Sequence, residues 1–570
     1  MSNTIRLALA QINLKVGDFE GNAKKIIQNI NLAHEKKADI IVFPELAISG
    51  YPPEDLLLKP HFIKENELFI KKIAYDTPAI LALVGLPRRI KDSLYNSCAA
   101  VFNRKIYGYY QKELLSNYGV FDEKRYFEAG SKNFLLNYGD TLIGVNIYED
   151  IWRRYGPYKL QAEAGSQIII NISACPYYKG KINIRRDVLT SRARETDAYV
   201  AYCNLVGGQD ELVFDGGSLV LGPRGNVLGQ APQFKEKLLL VDLDLKLVNT
   251  IIKKQKLARN KILPVINIPA PKFSRKSAIK QKKTKLLKGE EEIYAALKLG
   301  LKDYVFKNHF EKIVFGLSGG IDSALCAIIA VDALGKDNVI AVIMPSRFTS
   351  FAALNDAIAL AKKLDIKFFI IPISLAYQSY LDSLKGVFEG KKSGVAEENI
   401  QARIRGHILM GMSNKFDYLV LATGNKSETS VGYCTLYGDM AGGFAILKDV
   451  PKTLVYKLSK YRNSLQKTDI IASSIIRRSP SAELKFNQKD QDTLPPYHVL
   501  DRILKLYVEQ DKSVRQIIKA GFNRAVVKKV INMVDKNEYK RRQSPPGIRI
   551  TPRAFGKDRR MPISNQYVVK

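Results

Sequence analysis

The chain has 570 residues, 46% of them hydrophobic and 25% charged, enough apolar material for more than one core. No apolar run is long enough for a membrane-spanning helix, and five cysteines without a CxxC pair, with five scattered histidines, exclude a disulfide framework and a zinc site. A formal net charge of +33 attracts polyanions, but the basic residues are spread along the chain with one local run at 276–288, and no zinc-finger spacing or RNP-type motif accompanies them.

Residues 4–12 read as a first strand, not a signal peptide, so the chain is expected in the cytoplasm. Buried strands follow at 38–43, 80–85, 142–147 and 167–172, alternating with helical segments, so residues 1–265 form an α/β block. Residues 266–288 are proline-punctuated, then basic and polar, and read as a linker. A second α/β block, 289–570, opens with a helix near 291–307 and has strands at 313–317 and 339–344. Between the strand at 313–317 and the apolar helical run 324–329 lies Ser318-Gly319-Gly320-Ile321-Asp322-Ser323. A strand, a turn of small residues and a helix aim backbone N–H groups at one anion, and the helix N-terminus adds partial positive charge. Phosphate is the expected guest. No lysine follows the glycines and the dinucleotide spacing is absent, so this is neither a Lys-bearing P-loop nor a Rossmann fingerprint.

The loop resembles the pyrophosphate loop of the N-type ATP pyrophosphatases. Further on, Glu398-Asn399-Ile400-Gln401-Ala402-Arg403-Ile404-Arg405-Gly406, Thr423-Gly424-Asn425-Lys426-Ser427-Glu428, Gly432-Tyr433-Cys434-Thr435-Leu436-Tyr437-Gly438-Asp439, Pro480-Ser481-Ala482-Glu483-Leu484 and Glu538-Tyr539-Lys540-Arg541-Arg542-Gln543 resemble, in order, the glutamine-dependent NAD synthetases. A GMP synthetase would share the loop but not the segments at 437–439 and 480–483. The resemblance implies a nitrilase-like αββα sandwich followed by a doubly wound parallel-sheet ATP pyrophosphatase domain. It also implies a two-step reaction, in which ATP adenylates the nicotinate carboxylate of deamido-NAD and ammonia then displaces AMP. On that basis Gly316, Leu317, Ser318, Gly319, Gly320, Ile321, Asp322, Ser323 and Thr423 would hold ATP, and Asn399, Glu428 and Lys540 deamido-NAD, with Arg403 and Asp439 as further contacts. Asp322 and Glu428 would bind Mg²⁺, which prefers oxygen ligands and bridges phosphates. For Asp322 taken alone, capping of its helix is the alternative, and for Lys540 a solvated lysine. By the same analogy a homo-oligomer is expected, while the short apolar runs and spread basic residues predict neither a membrane nor a specific nucleic-acid partner. A basic scaffold or nucleic-acid binder is the alternative of another class, and the complete loop with Glu428 argues against it.

The first 265 residues resemble the nitrilase-like amidases, which use a Glu–Lys–Cys triad to release ammonia from L-glutamine. The resemblance makes Glu45 the general base, Lys112 the oxyanion and thiolate partner, and Tyr118 and Lys181 glutamine-binding residues. The family's cysteine precedes Glu-Asp-x-Trp; here Tyr148 precedes Glu149-Asp150-Ile151-Trp152. A phenol is almost wholly protonated at neutral pH and is a poor replacement for a thiolate. A family serine that contacts glutamine is here Cys175, in Asn171-Ile172-Ser173-Ala174-Cys175-Pro176. Three explanations stand: an inactive glutaminase with a synthetase fed by free ammonia; Cys175 as a relocated nucleophile; or a residue at 148 altered from cysteine, one base change away.

Overall fold

The computed structural model describes residues 4–255, 261–269, 278–279 and 284–567, without the side chains of 251–255. The chain divides into two compact units, residues 1–209 with 213–287, and residues 288–570 with 210–212.

The first unit contains two large sheets. One has six strands, in the order Lys237–Asp244, Thr4–Gln11, Ile40–Val42, Leu81–Ile90, Ser93–Phe102 and Lys105–Gln111. The other has seven, in the order Val227–Gln230, Leu219–Leu221, Tyr199–Asn204, Ile168–Ser173, Thr141–Ile147, Leu135–Tyr138 and Val265–Ile268. The central strands Ile168–Ser173 and Tyr199–Asn204 are buried along their whole length, with Ile168, Ile169, Ile170 and Ile172 fully buried, as in strands covered on both faces. Helices Phe19–Glu35 and Pro60–Asp76 pack on each other, with the latter against the six-stranded sheet, while Pro157–Glu163 and Lys181–Thr196 cover the seven-stranded sheet. The strands Thr4–Gln11 and Tyr199–Asn204 meet between the sheets, completing the αββα sandwich. One boundary differs from the sequence reading. Val265–Ile268 is a strand, paired in parallel with Leu135–Tyr138, and not the start of a linker: three β-branched residues between Pro264 and Pro269 extend a sheet edge. Most of the remaining linker lies outside the described residues.

In the second unit five strands are all parallel, in the order Lys367–Ile370, Val339–Ile343, Ile313–Gly316, Leu419–Ala422 and Phe444–Ala445. The chain builds outward from Ile313–Gly316 to one side and then returns to lay Leu419–Ala422 on the other. That reversal opens a crevice at the carboxyl ends of these two strands, the usual ligand position in such sheets. Gly316 closes one of the strands and Thr423 follows the other. Helices Gly289–Lys307, Ile321–Leu334 and Lys452–Ser464 pack together, and Val395–Phe416 lies against the two central strands. Helices Tyr497–Leu504, Val514–Lys519 and Arg524–Lys536 enclose a separate apolar cluster that includes Leu500, Ile517 and Ile531.

Candidate active sites

In the first unit, three strand ends bring together the residues expected of a triad. Glu45 follows Ile40–Val42, Lys112 follows Lys105–Gln111, and Tyr148 follows Thr141–Ile147. All three are buried. Lys112 Nζ lies 2.9 Å from Glu45 Oε1 and 2.7 Å from Glu123 Oε1. Asn96 donates to Glu45 Oε1 at 2.8 Å, and the Ala174 N–H donates to Glu45 Oε2 at 3.0 Å. Gly85 makes room for the base: a Cβ there would sit 2.5 Å from the Leu46 nitrogen and 2.6 Å from the Pro44 oxygen. Burial disfavours charge on Lys112, but Glu123 and Glu45 outweigh it and hold the ammonium above its ordinary pKa. The Glu123 carboxyl is pushed up by burial and by Glu45, against the pull of Lys112. Glu123 and Asn96 were not anticipated from the sequence; Glu123 opens the short 3-10 helix Glu123–Arg125 among other charged residues, where an acid carries no distinguishing signal.

Tyr148 forms a sharp elbow between strand and helix, with φ 37° and ψ −95°, a region a bulky residue enters only when its surroundings fix it. The fixing residue is Asp150. Its Oδ2 accepts from the Ile147 N–H at 3.0 Å and the Tyr110 hydroxyl at 2.9 Å, and its Oδ1 accepts from the N–H groups of Glu113 at 3.2 Å and Leu114 at 2.8 Å. One carboxylate thus ties the elbow to the turn that follows Lys112. An asparagine at 150 has a single acceptor oxygen and would point an NH₂ at donors. Asp150→Asn is therefore expected to destabilise this unit by about 3 kcal/mol. Denaturant unfolding followed through Trp152, the single tryptophan of the chain, measures it; an unchanged midpoint would show that the elbow is held by other contacts.

The Tyr148 ring lies 5.2 Å from the Phe121 ring and 5.8 Å from Trp152, and the Lys112 ammonium is 5.2 Å from its centroid. Burial, with Cys175 and Tyr118 nearby, pushes the phenol well above its ordinary pKa, so it is further from being an anion here than in water. Lys181 stacks its ammonium 4.3 Å over Trp152, and the Tyr118 hydroxyl donates to Glu149 at 2.8 Å. Cys175 is fully buried; its N–H donates to Asn204, and its sulfur meets the Pro176 carbonyl at 3.9 Å. The oxygen of Glu45 that reaches this segment is taken by the neighbouring Ala174 N–H.

In the second unit a cavity of about 570 Å³ opens at the crevice. Gly316, Leu317, Ser318, Gly320, Ile321, Asp322, Ser323, Thr423, Asn399, Glu428, Asp439 and Lys540 all line it. Two expected contacts do not. Gly319, with φ 79° and a would-be Cβ 2.2 Å from the Ala353 oxygen, is not among the residues that line the cavity, and Arg403 donates instead to the Leu436 carbonyl at 3.2 Å. Ser323 Oγ ties the loop by donating to the Gly320 carbonyl at 3.0 Å, and helix Ile321–Leu334 turns its first N–H groups toward the loop.

Asp322 does not cap its own helix. Its Oδ1 accepts from Asn425 Nδ2 at 3.0 Å and its Oδ2 pairs with Lys452, whose Nζ also lies 3.0 Å from Glu428 Oε1. Asn425 in turn accepts from the Glu428 N–H at 3.0 Å, capping the short helix Lys426–Val431. The two carboxylates are thus aimed at one point, where Lys452 stands. Burial and the repulsion of Glu428, against the pull of Lys452, leave Asp322 raised to about 6. Burial opposes the Lys452 charge, but Asp322 and Glu428 outweigh it and raise its pKa. Lys452 carries no signal in the sequence, where it is one lysine among many at the start of an amphipathic helix. Lys540 reaches the cavity from Glu538–Arg541, its ammonium donating to the carbonyls of Gly432 at 2.8 Å and Cys434 at 2.9 Å.

Comparison with known proteins matches residues 6–253 to the carbon-nitrogen hydrolase family and residues 293–544 to the NAD synthase family. The chain is 47% identical to a glutamine-dependent NAD(+) synthetase of Thermotoga maritima over 99% of both chains. It is 48% identical to one of Aquifex aeolicus, over 99% of this chain and all of that one. Among solved structures, a glutamine-dependent NAD+ synthetase from Acinetobacter baumannii, in complex with ADP, is 40% identical over the whole of both chains with a TM-score of 0.76. Full-length similarity at this level, with both halves in the family's order, places this chain in the glutamine-dependent NAD⁺ synthetase family.

Proposed function

We propose that this chain makes NAD⁺ from deamido-NAD and ATP with Mg²⁺, and that it draws on free ammonia because its amidase half has no nucleophile. One observation carries the second part: the residue on the elbow is a buried phenol whose pKa is raised, facing an intact Glu45–Lys112 pair. Loss of the nucleophile in a triad enzyme costs on the order of a millionfold in turnover. A relocated nucleophile at Cys175 is the weaker reading, because its sulfur meets the Pro176 carbonyl and the Glu45 oxygen that reaches this segment accepts from the Ala174 N–H.

In the synthetase half, the loop at 316–323 and the first turn of its helix would receive the pyrophosphate leaving group. Asn399 and Lys540 would orient deamido-NAD so that its carboxylate faces the α-phosphate. Asp322 and Glu428 fit Mg²⁺: two carboxylates converge on one cationic position beside the phosphate loop, and such an ion completes its shell with water and phosphate oxygens. When bound it would neutralise charge on the phosphates. Lys452, which pairs with both carboxylates, would supply a second positive group to the same oxygens and offset the repulsion between Asp322 and Glu428 when no nucleotide is present.

NAD⁺ formation with either ammonium or glutamine as the nitrogen source tests the proposal. Ammonium is expected to support synthesis, and glutamine, freed enzymatically of contaminating ammonia, little or none. Robust glutamine-dependent turnover would refute the ammonia reading, and its loss in Cys175→Ala with ammonium activity intact would then assign the nucleophile to Cys175.

A further inference from the structure

The opening N–H groups of helix Lys452–Ser464 all find acceptors, but two of these come from distant parts of the chain. Pro451, at the N-cap, has no side-chain group to offer. Its carbonyl accepts from the N–H groups of Leu454 at 2.8 Å and Val455 at 3.0 Å. The Lys452 N–H donates to Ser427 Oγ at 2.8 Å, and the Thr453 N–H donates to Asp501 Oδ2 at 2.9 Å. The Ser427 hydroxyl in turn donates to Asp501 Oδ1. Asp501 is buried and both its oxygens accept, so one carboxylate caps this helix from outside and closes a hydrogen-bonded ring through Ser427. A negative group is also favoured at a helix N-terminus by the helix dipole.

The atoms held by this ring flank the charged pair of the cavity. Ser427 precedes Glu428, Thr453 follows Lys452, and Glu428 Oε1 lies 3.0 Å from Lys452 Nζ. The pair stands on two separate helices, Lys426–Val431 and Lys452–Ser464, and Asp501 is bonded to the start of each. One turn earlier on its own helix, Tyr497–Leu504, a second side chain meets the same pair. The Tyr497 ring lies 5.3 Å from the Lys452 ammonium, and its hydroxyl, which donates to Asp490 at 2.7 Å, stands 3.4 Å from Glu428 Oε1. Helix Tyr497–Leu504 thus reaches the pair at its charged ends through Tyr497 and at its backbone through Asp501. We propose that Asp501 is a positioning residue of the synthetase site: by holding Ser427 and Thr453 on one carboxylate, it fixes Glu428 and Lys452 at the separation from which both act on the phosphates. Asp501 is not among the residues that line the cavity, and it acts through these neighbours. Groups that hold the ligands of a metal in this way set its affinity although they do not touch it.

The assignment rests on the Mg²⁺-dependent synthetase reading, and two variants test it. Asp501→Asn keeps the shape of the side chain but has one carbonyl oxygen, so either the Ser427 hydroxyl or the Thr453 N–H loses its acceptor. Ser427→Ala opens the ring on its other side. In the free protein, hydrogen exchange followed by mass spectrometry is expected to be faster in both variants at the start of helix Lys452–Ser464. In ammonium-dependent NAD⁺ formation each is expected to raise the free Mg²⁺ concentration for half-maximal rate about tenfold. The double variant is expected to go no further than the worse single one, because both open the same ring. Ile531→Val, in the apolar cluster that Leu500 of the same helix joins, is expected to lower the melting temperature without moving the Mg²⁺ requirement. A Mg²⁺ requirement in Asp501→Asn within about twofold of the parent would overturn the assignment. So would unchanged hydrogen exchange, effects of the two variants that multiply, or an equal shift in Ile531→Val. A parent protein without ammonium-dependent synthesis would remove both readings; an active parent whose variants keep its Mg²⁺ requirement removes only the role of Asp501.

Discussion

Tyr148→Cys is expected to give this chain a glutaminase. The substitution places a thiol on an elbow whose backbone is already set, beside Glu45 as base and Lys112 as oxyanion and thiolate partner, 2.9 Å apart. It also empties the volume of a buried ring packed on Phe121 and Trp152. That space is what glutamine needs, but until it is filled the unit is expected to be less stable by about 2–4 kcal/mol. The gain is expected to be partial, since Cys175 offers a weaker hydrogen-bond partner than a serine hydroxyl. Tyr148→Cys combined with Cys175→Ser is expected to do better. Glutamate release and covalent labelling by a glutamine-mimicking electrophile are the measurements. A double variant that folds and keeps ammonium-dependent synthesis, yet shows neither, would place the decay of the pocket beyond these two residues.

The second large effect is expected in the other half. Asp322→Asn and Glu428→Gln keep shape and remove one negative charge each from the point occupied by Lys452. Either is expected to lower ammonium-dependent NAD⁺ formation by about 100-fold or more, because charge neutralisation on the phosphates is weakened. Asparagine at 322 can still accept from Asn425, so the loss reports charge and not a collapsed loop. If either variant retained near-full turnover at saturating Mg²⁺, the metal ligands would lie elsewhere.

Much of the fold is legible in the sequence because it depends on local pattern. The strands read at 142–147 and 313–317 appear as Thr141–Ile147 and Ile313–Gly316, since fully buried parallel strands show as unbroken apolar runs. The phosphate loop is legible for a similar reason: its residue types are demanded within six consecutive positions. What was not legible is whatever tertiary contact alone makes special. Glu123 and Lys452 are ordinary charged residues in the sequence. They are singled out only by the partners that the fold brings to them, Lys112 for the one and Asp322 and Glu428 for the other. Val265–Ile268 was missed because a four-residue strand between prolines looks like a linker until its partner at Leu135–Tyr138 is known.

The four hydrogen bonds that converge on Asp150 separate the geometry of position 148 from its identity. Because the turn is set from two residues away, a change of side chain at 148 need not disturb the path of the backbone, and a residue with no chemical use can be carried there without unfolding the site around it. The pocket is in that sense a socket that outlasts its plug. On the proposed reading, that tolerance would let the amidase half lose its activity while the domain persists, and would leave the position open to reoccupation by a single exchange of side chain.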